Sequence, residues 1–110
     1  KSLIDSAKDY VHRNYRSMDL GLDDTCKKLG VSNSYFSSLF KKETGSSFVE
    51  YLTDYRMDKA ARMLVETDDK SYVIAQNVGY ADPNYFSYVF KRKYGVSPSR
   101  YRTEYEKNKV

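Results

Sequence analysis

Two short runs in this 110-residue chain set small hydrogen-bonding side chains just ahead of fixed cations. In the first, Asn33, Ser34, Ser37 and Ser38 precede Lys41 and Lys42; in the second, Asn84, Ser87 and Tyr88 precede Lys91 and Arg92. An asparagine amide donates and accepts in one plane, so it can match the edge of adenine, and a serine hydroxyl can serve several bases. Lysine and arginine a helical turn further on suit phosphate oxygens, which position a protein without reading sequence. The chemistry on offer is reversible recognition of a polyanion. The alternative for each serine is a merely solvated helix face, and the presence of the pattern in both runs weighs against it.

Nothing comparable supports catalysis. The chain lacks a Gly-rich phosphate loop, paired catalytic carboxylates and triad spacing, so no enzymatic activity and no cofactor are expected. His12 is the only histidine, with no second ligand at metal spacing, and reads as a surface residue; no metal is expected. Cys26 is the single cysteine, which excludes an internal disulfide, and it falls on the inner face of a short helix as a packed thiol. An enzyme built on Cys26 would need that thiol exposed beside a base.

The elements that must hold the two runs form a repeat. Tyr35-Phe36-Ser37 through Gly45 returns as Tyr85-Phe86-Ser87 through Gly95, Ser47 matches Ser97, and Tyr51 matches Tyr101. Upstream, Leu29-Gly30-Val31 matches Val78-Gly79-Tyr80 at an offset one shorter, which places an insertion near Asp82 and Pro83. Solenoids need three or more copies to bury a continuous core, so two copies suggest two linked sites.

Helical periodicity runs through the chain. Ser2 caps a first amphipathic helix in which Leu3, Ile4, Ala7, Val11 and Tyr15 recur at helical spacing, and which ends near Arg16. A second, short helix from Asp23 stops at Gly30, and a third, capped by Ser32, buries Phe36, Leu39 and Phe40 and stops at Gly45. Helix, tight glycine-containing turn and helix is the helix-turn-helix arrangement, in which the second helix enters the major groove of DNA. Residues 47 to 65 lack Gly and Pro and form the longest helix, with Phe48, Leu52, Tyr55, Ala60, Met63 and Leu64 on its apolar stripe. About nineteen residues span roughly 28 Å, near the roughly 34 Å repeat of one DNA turn. Ser71 caps a short helix ending at Gly79, Asp82-Pro83 starts the next, and Ser97-Pro98 starts a last one through Tyr101 and Tyr105, frayed after Glu106. The expectation is an all-α fold of about seven helices. A first helix-turn-helix subdomain covers 1–46, a linker helix 47–66 and a second helix-turn-helix subdomain 67–110. Most tyrosines, including Tyr35, Tyr85 and Tyr101, are expected to pack with a polar edge outward.

Bulk properties agree with this reading. Nineteen Lys and Arg against fifteen Asp and Glu give a net charge of +4, with a pI near 9.1 and a mean hydropathy of -0.77. Lys41, Lys42, Lys91, Arg92, Lys93, Arg100 and Arg102 gather around the repeats, a distribution that fits a polyanionic partner. No stretch approaches the roughly 20 apolar residues of a membrane span, and one cysteine suits a reducing, cytoplasmic setting.

The spaced residues Ile74-Ala75, Val78-Gly79-Tyr80, Asp82, Tyr85-Phe86-Ser87, Phe90-Lys91, Gly95, Ser97-Pro98 and Tyr101-Arg102 resemble the DNA-binding domain of the AraC/XylS family of bacterial transcription regulators. Gly30, Ser32, the run Phe40 to Gly45, Phe48, Arg56, Ala60 and Leu64 extend the resemblance to nearly the whole chain. It implies two helix-turn-helix subdomains whose recognition helices lie in adjacent major grooves on one face of promoter DNA. It also implies transcription activation, often through RNA polymerase. By position in the motif, base contacts carry over to Ser34, Ser37 and Ser38 and to Asn84, Ser87 and Tyr88. Family members commonly add a sensor, such as a sugar-binding or receiver domain, so an N-terminal sensor or receiver domain is expected outside this chain. The competing reading is a helical protein-interaction module that contacts RNA polymerase or another partner.

Overall fold

The computed structural model describes residues 2–109, and among these it contains seven α-helices and no strand. They are α1 (Leu3–Asn14), α2 (Leu22–Leu29), α3 (Asn33–Thr44), α4 (Phe48–Glu66), α5 (Ser71–Asn77), α6 (Pro83–Tyr94) and α7 (Pro98–Asn108). The chain divides inside α4 into two compact units, Lys1–Tyr55 and Arg56–Val110.

The first unit is built on aromatic contacts between α3 and the start of α4. Phe36 and Phe40, one turn apart, are fully buried, and Phe48 meets both edge-on at ring separations of 5.4 and 5.6 Å. Around them pack Ile4, Ala7 and Val11 of α1, Leu20, Cys26 of α2 and Leu52 of α4. Each fully buried side chain of this size stabilises the unit by about 1.5–3 kcal/mol before the entropy of ordering is subtracted. Two side-chain bonds tie α1 to its neighbours: Tyr10 donates to Asp24 of α2 at 2.7 Å, and His12 Nε2 lies 2.8 Å from the Tyr51 hydroxyl of α4. His12 also stacks on Tyr55 at 4.6 Å, so this exposed histidine has a packing role. Cys26 is buried, as expected of a packed thiol, and burial pushes its pKa up, away from the reactive thiolate.

The second unit repeats the plan with different side chains. Phe86 and Phe90 are fully buried on α6, beside Ile74, Ala75 and Val78. The edge-on pair Phe40–Tyr51, at 5.5 Å, has its counterpart in Phe90–Tyr101, at 5.4 Å. Pro98 is buried where the first unit has Phe48, and it doubles as a first-turn residue of α7, where a missing N–H is harmless. The later half of α4 belongs to this unit. Arg102 donates from Nε to the Leu64 carbonyl at 2.8 Å and from Nη2 to the Thr67 carbonyl at 3.0 Å, satisfying carbonyls at the C-terminal end of α4.

Several sequence expectations need correction. The stripe of α4 includes Arg56, Met57 and Ala61 as buried residues, while Tyr55 and Met63 are only half-buried. Arg56 lies 5.5 Å from the centre of the Tyr80 ring, an aromatic partner that lets a guanidinium sit at 7% exposure. Ser71 does not cap α5: it is the first helical residue, Lys70 holds the cap position, and no side chain bonds there. Helix α7 continues past Glu106 to Asn108. Tyr35 and Tyr85 lie outside the core, 59% and 56% exposed.

Candidate nucleic-acid interface

Helices α3 and α6 are mounted in the same way at both ends. At the start of α3 the Ser32 hydroxyl accepts from the Tyr35 N–H at 3.2 Å, and at the start of α6 an Asp82 carboxylate oxygen accepts from the Asn84 N–H at 2.9 Å. At the far ends Gly45 and Gly95 take left-handed conformations, with φ of 86° and 82°, and return their N–H groups to the carbonyls of Lys41 and Lys91. Between and beyond these caps, buried, half-buried and exposed residues follow one order at every position from 32 to 50 and from 82 to 100. The two frames are equivalent, so the residues on their outward faces can be compared directly.

On α3 the exposed positions are Asn33, Ser34, Tyr35, Ser38, Lys41, Lys42 and Glu43; Ser37 is half-buried beside the core stripe. On α6 they are Pro83, Asn84, Tyr85, Tyr88, Lys91, Arg92 and Lys93, with Ser87 half-buried like Ser37. The two asparagines differ. The Asn33 amide donates to the Asp23 carboxylate of α2 and so braces the turn between α2 and α3. Asn84 stands where α3 has Ser34, and among the described residues no hydrogen bond engages its side chain.

Charge follows a similar division. Lys93 of α6 points back to α4, where its ammonium lies 2.7 Å from Asp58, and Tyr94 donates to the same carboxylate at 2.9 Å. Arg100 pairs with Glu104 at 3.1 Å, and Arg102 is committed to the α4 carbonyls. Three of the seven basic residues gathered around the repeats therefore serve the fold. Lys41, Lys42, Lys91 and Arg92 remain exposed on the faces that carry the hydrogen-bonding side chains.

Tyr35 and Tyr85 are the outward residues that the reading by repetition missed, and helical phase marks them. At 100° per residue each lies about 120° from the centre of the stripe set by the two buried phenylalanines. In α6, Tyr85 stacks on Tyr88 with ring centres 6.2 Å apart, and Arg92 Nη1 donates to the Tyr88 hydroxyl at 3.1 Å. The bond to Tyr88 pushes the Arg92 pKa up from its ordinary value. Among the described residues no group of histidine, cysteine, aspartate and glutamate could hold a metal ion, and no helix is long and apolar enough to cross a membrane.

A short helix, a turn and a capped helix with a cationic, hydrogen-bonding outer face define a helix-turn-helix domain, here present twice. The family described as a helix-turn-helix domain matches residues 25–104. The lactose operon transcription activator of Staphylococcus xylosus is 36% identical over 80 residues, which make up 73% of this chain and 28% of that protein. Among solved structures, the C-terminal domain of AraT, a response regulator from Geobacillus stearothermophilus, superposes with a TM-score of 0.92 at 38% identity, covering 94% of this chain and 86% of that one. The DNA-binding domain of AdpA, solved in complex with a target DNA, shares the fold at a TM-score of 0.92 and 21% identity, covering 99% and 97% of the two chains. This chain belongs to the AraC/XylS family of transcription regulators and carries its DNA-binding domain. It spans less than a third of the length of the lactose operon activator.

Proposed function

We propose that the domain reads double-stranded promoter DNA with α3 and α6 in adjacent major grooves of one duplex, and that this binding regulates transcription, chiefly by activation. The observation that carries the reading is the equivalence of the two frames. Both helices are held by the same core and caps, and both turn hydrogen-bonding and cationic side chains outward. Base reading falls to Ser34, Ser38, Asn84 and Tyr88, with Ser37 and Ser87 at the margin and Asn33 bracing the turn. Phosphate contacts fall to Lys41, Lys42, Lys91 and Arg92. The test is selection of bound sequences from a random duplex pool. A two-part site with centres about one helical turn apart is the expected result; recovery of unenriched sequences would overturn it.

The longer relatives, and the response-regulator origin of AraT, support a sensor or receiver domain elsewhere in the full protein, acting in the cytoplasm. Activation through RNA polymerase would use a surface away from the basic faces. Val49 and Tyr72, 58% and 56% exposed on α4 and α5, are outward apolar residues that no part of the reading surface uses. Replacing them with serine should lower activated transcription and leave DNA affinity unchanged.

A further inference from the structure

The outer face of α6 differs from that of α3 in one chemical respect. Where α3 has Tyr35 beside the small Ser38, α6 has Tyr85 beside Tyr88, two rings each 56% exposed and inclined by only 28°. Tyr80 extends the cluster, with its ring centre 6.1 Å from that of Tyr85. Arg92, one turn on, has its guanidinium 5.8 Å from the Tyr88 ring centre and bonded to the hydroxyl. An exposed tyrosine is ordinarily free to turn about two bonds. Here the stack on Tyr85 and the bond from Arg92 to the hydroxyl restrain the ring before any ligand arrives, which lowers the entropy lost on binding. Core packing does not account for the pair, because both residues are more than half exposed.

We propose that Tyr85 and Tyr88 form an aromatic platform that selects thymine at the bases read by α6, by covering the 5-methyl group. The inference rests on the proposed placement of α6 in the major groove. Every edge displayed there is polar except the thymine methyl, so it is the one feature of a base pair that an aromatic face rewards. The hydroxyl of Tyr88 accepts from Arg92 and keeps its own O–H to donate, while the ring supplies the apolar surface. Cytosine at the same position presents only a C5 hydrogen where thymine has the methyl, so the apolar contact is lost. Helix α3, with Ser38 in place of Tyr88, lacks the second ring and reads by hydroxyl groups. The two heads thus recognise different kinds of feature.

The test replaces thymine with uracil, one position at a time, in a duplex obtained by selection with the unaltered chain. Uracil removes the methyl and keeps every hydrogen-bonding edge. At one or two positions in the half contacted by α6, the replacement should weaken binding about fourfold per methyl. In Tyr88→Ser that sensitivity should vanish, and in Tyr88→Phe it should persist, because the ring and not the hydroxyl carries it. Both substitutions lie on an exposed face, and an unchanged helical circular-dichroism signal confirms folding. Equal affinity for thymine and uracil at every position, with sequence preference retained, would overturn the platform and leave the DNA-reading function standing. Failure to prefer any duplex would remove both.

Discussion

The Asn33 amide donates to Asp23 across the turn, whereas Asn84 projects from the first turn of α6 with its amide unengaged. Asn33→Ala should therefore lower stability by about 1 kcal/mol or less and leave base preference as it was. Asn84→Ala should leave stability alone and flatten discrimination at one base pair by about 1–3 kcal/mol. Titration against duplexes that differ by single base pairs separates the two effects. Asp58 makes a prediction in pH. Burial alone would push its carboxyl up, but hydrogen bonds from Lys93 and Tyr94 and the charge of Lys93 outweigh it and hold the pKa below the ordinary value. A folded value below the unfolded one, which is about 4, stabilises the protein fully above that pH, and the contribution disappears as pH falls through the folded value. Because the side chain is 68% exposed, the effect should stay under about 1 kcal/mol. Urea unfolding between about pH 6 and 2 should show a shallower acid loss in Asp58→Asn than in the unaltered chain.

At the scale of the helices, punctuation carries most of what sequence makes visible. Ser32, Asp82-Pro83 and Ser97-Pro98 act locally on the next turn of backbone, so a short window suffices to place the starts of α3, α6 and α7. Gly45 and Gly95 end α3 and α6 for an equally local reason. At Gly95 the φ of 82° lies in the left-handed region, and a Cβ there would meet nothing within 4 Å. Gly95→Ala should therefore cost about 1–2 kcal/mol from backbone conformation alone, seen as a lower urea midpoint at unchanged m-value. What sequence hid depends on partners far along the chain. Arg56 is buried because the Tyr80 ring lies beside it, and nothing near residue 56 announces that. The exposure of Tyr35 and Tyr85 was legible from helical phase, yet their recurrence in both copies suggested packing, because repetition of a residue type does not say which way the residue faces. The bond from Asn33 to Asp23 is hidden for a related reason: it depends on how α2 approaches α3.

For the whole molecule the net charge of +4 is modest, and the fold uses part of the basic set internally. Lys41, Lys42, Lys91 and Arg92 are exposed on the outer faces of α3 and α6, so on the proposed function affinity for duplex DNA should fall steeply with salt through release of condensed counterions. Lys41→Ala or Lys91→Ala should weaken binding on selected and random DNA alike, and each should reduce the slope of log affinity against log salt by about 1. A slope unaffected by these changes would place the phosphate contacts elsewhere.

The matched order of buried and exposed positions in the two copies bears on how such a domain can change over time. Residues that keep each half folded and residues that face a ligand occupy separate positions, the same ones in both halves, so the two sets can vary independently. Substitutions at 34, 38, 41 and 42, or at 84, 88, 91 and 92, should move stability by no more than about 0.5 kcal/mol while altering what each half prefers. After a duplication, one copy can then acquire aromatic rings and the other retain hydroxyl groups without either core having to adjust. A family built on this frame is free to diversify its binding sites faster than its architecture.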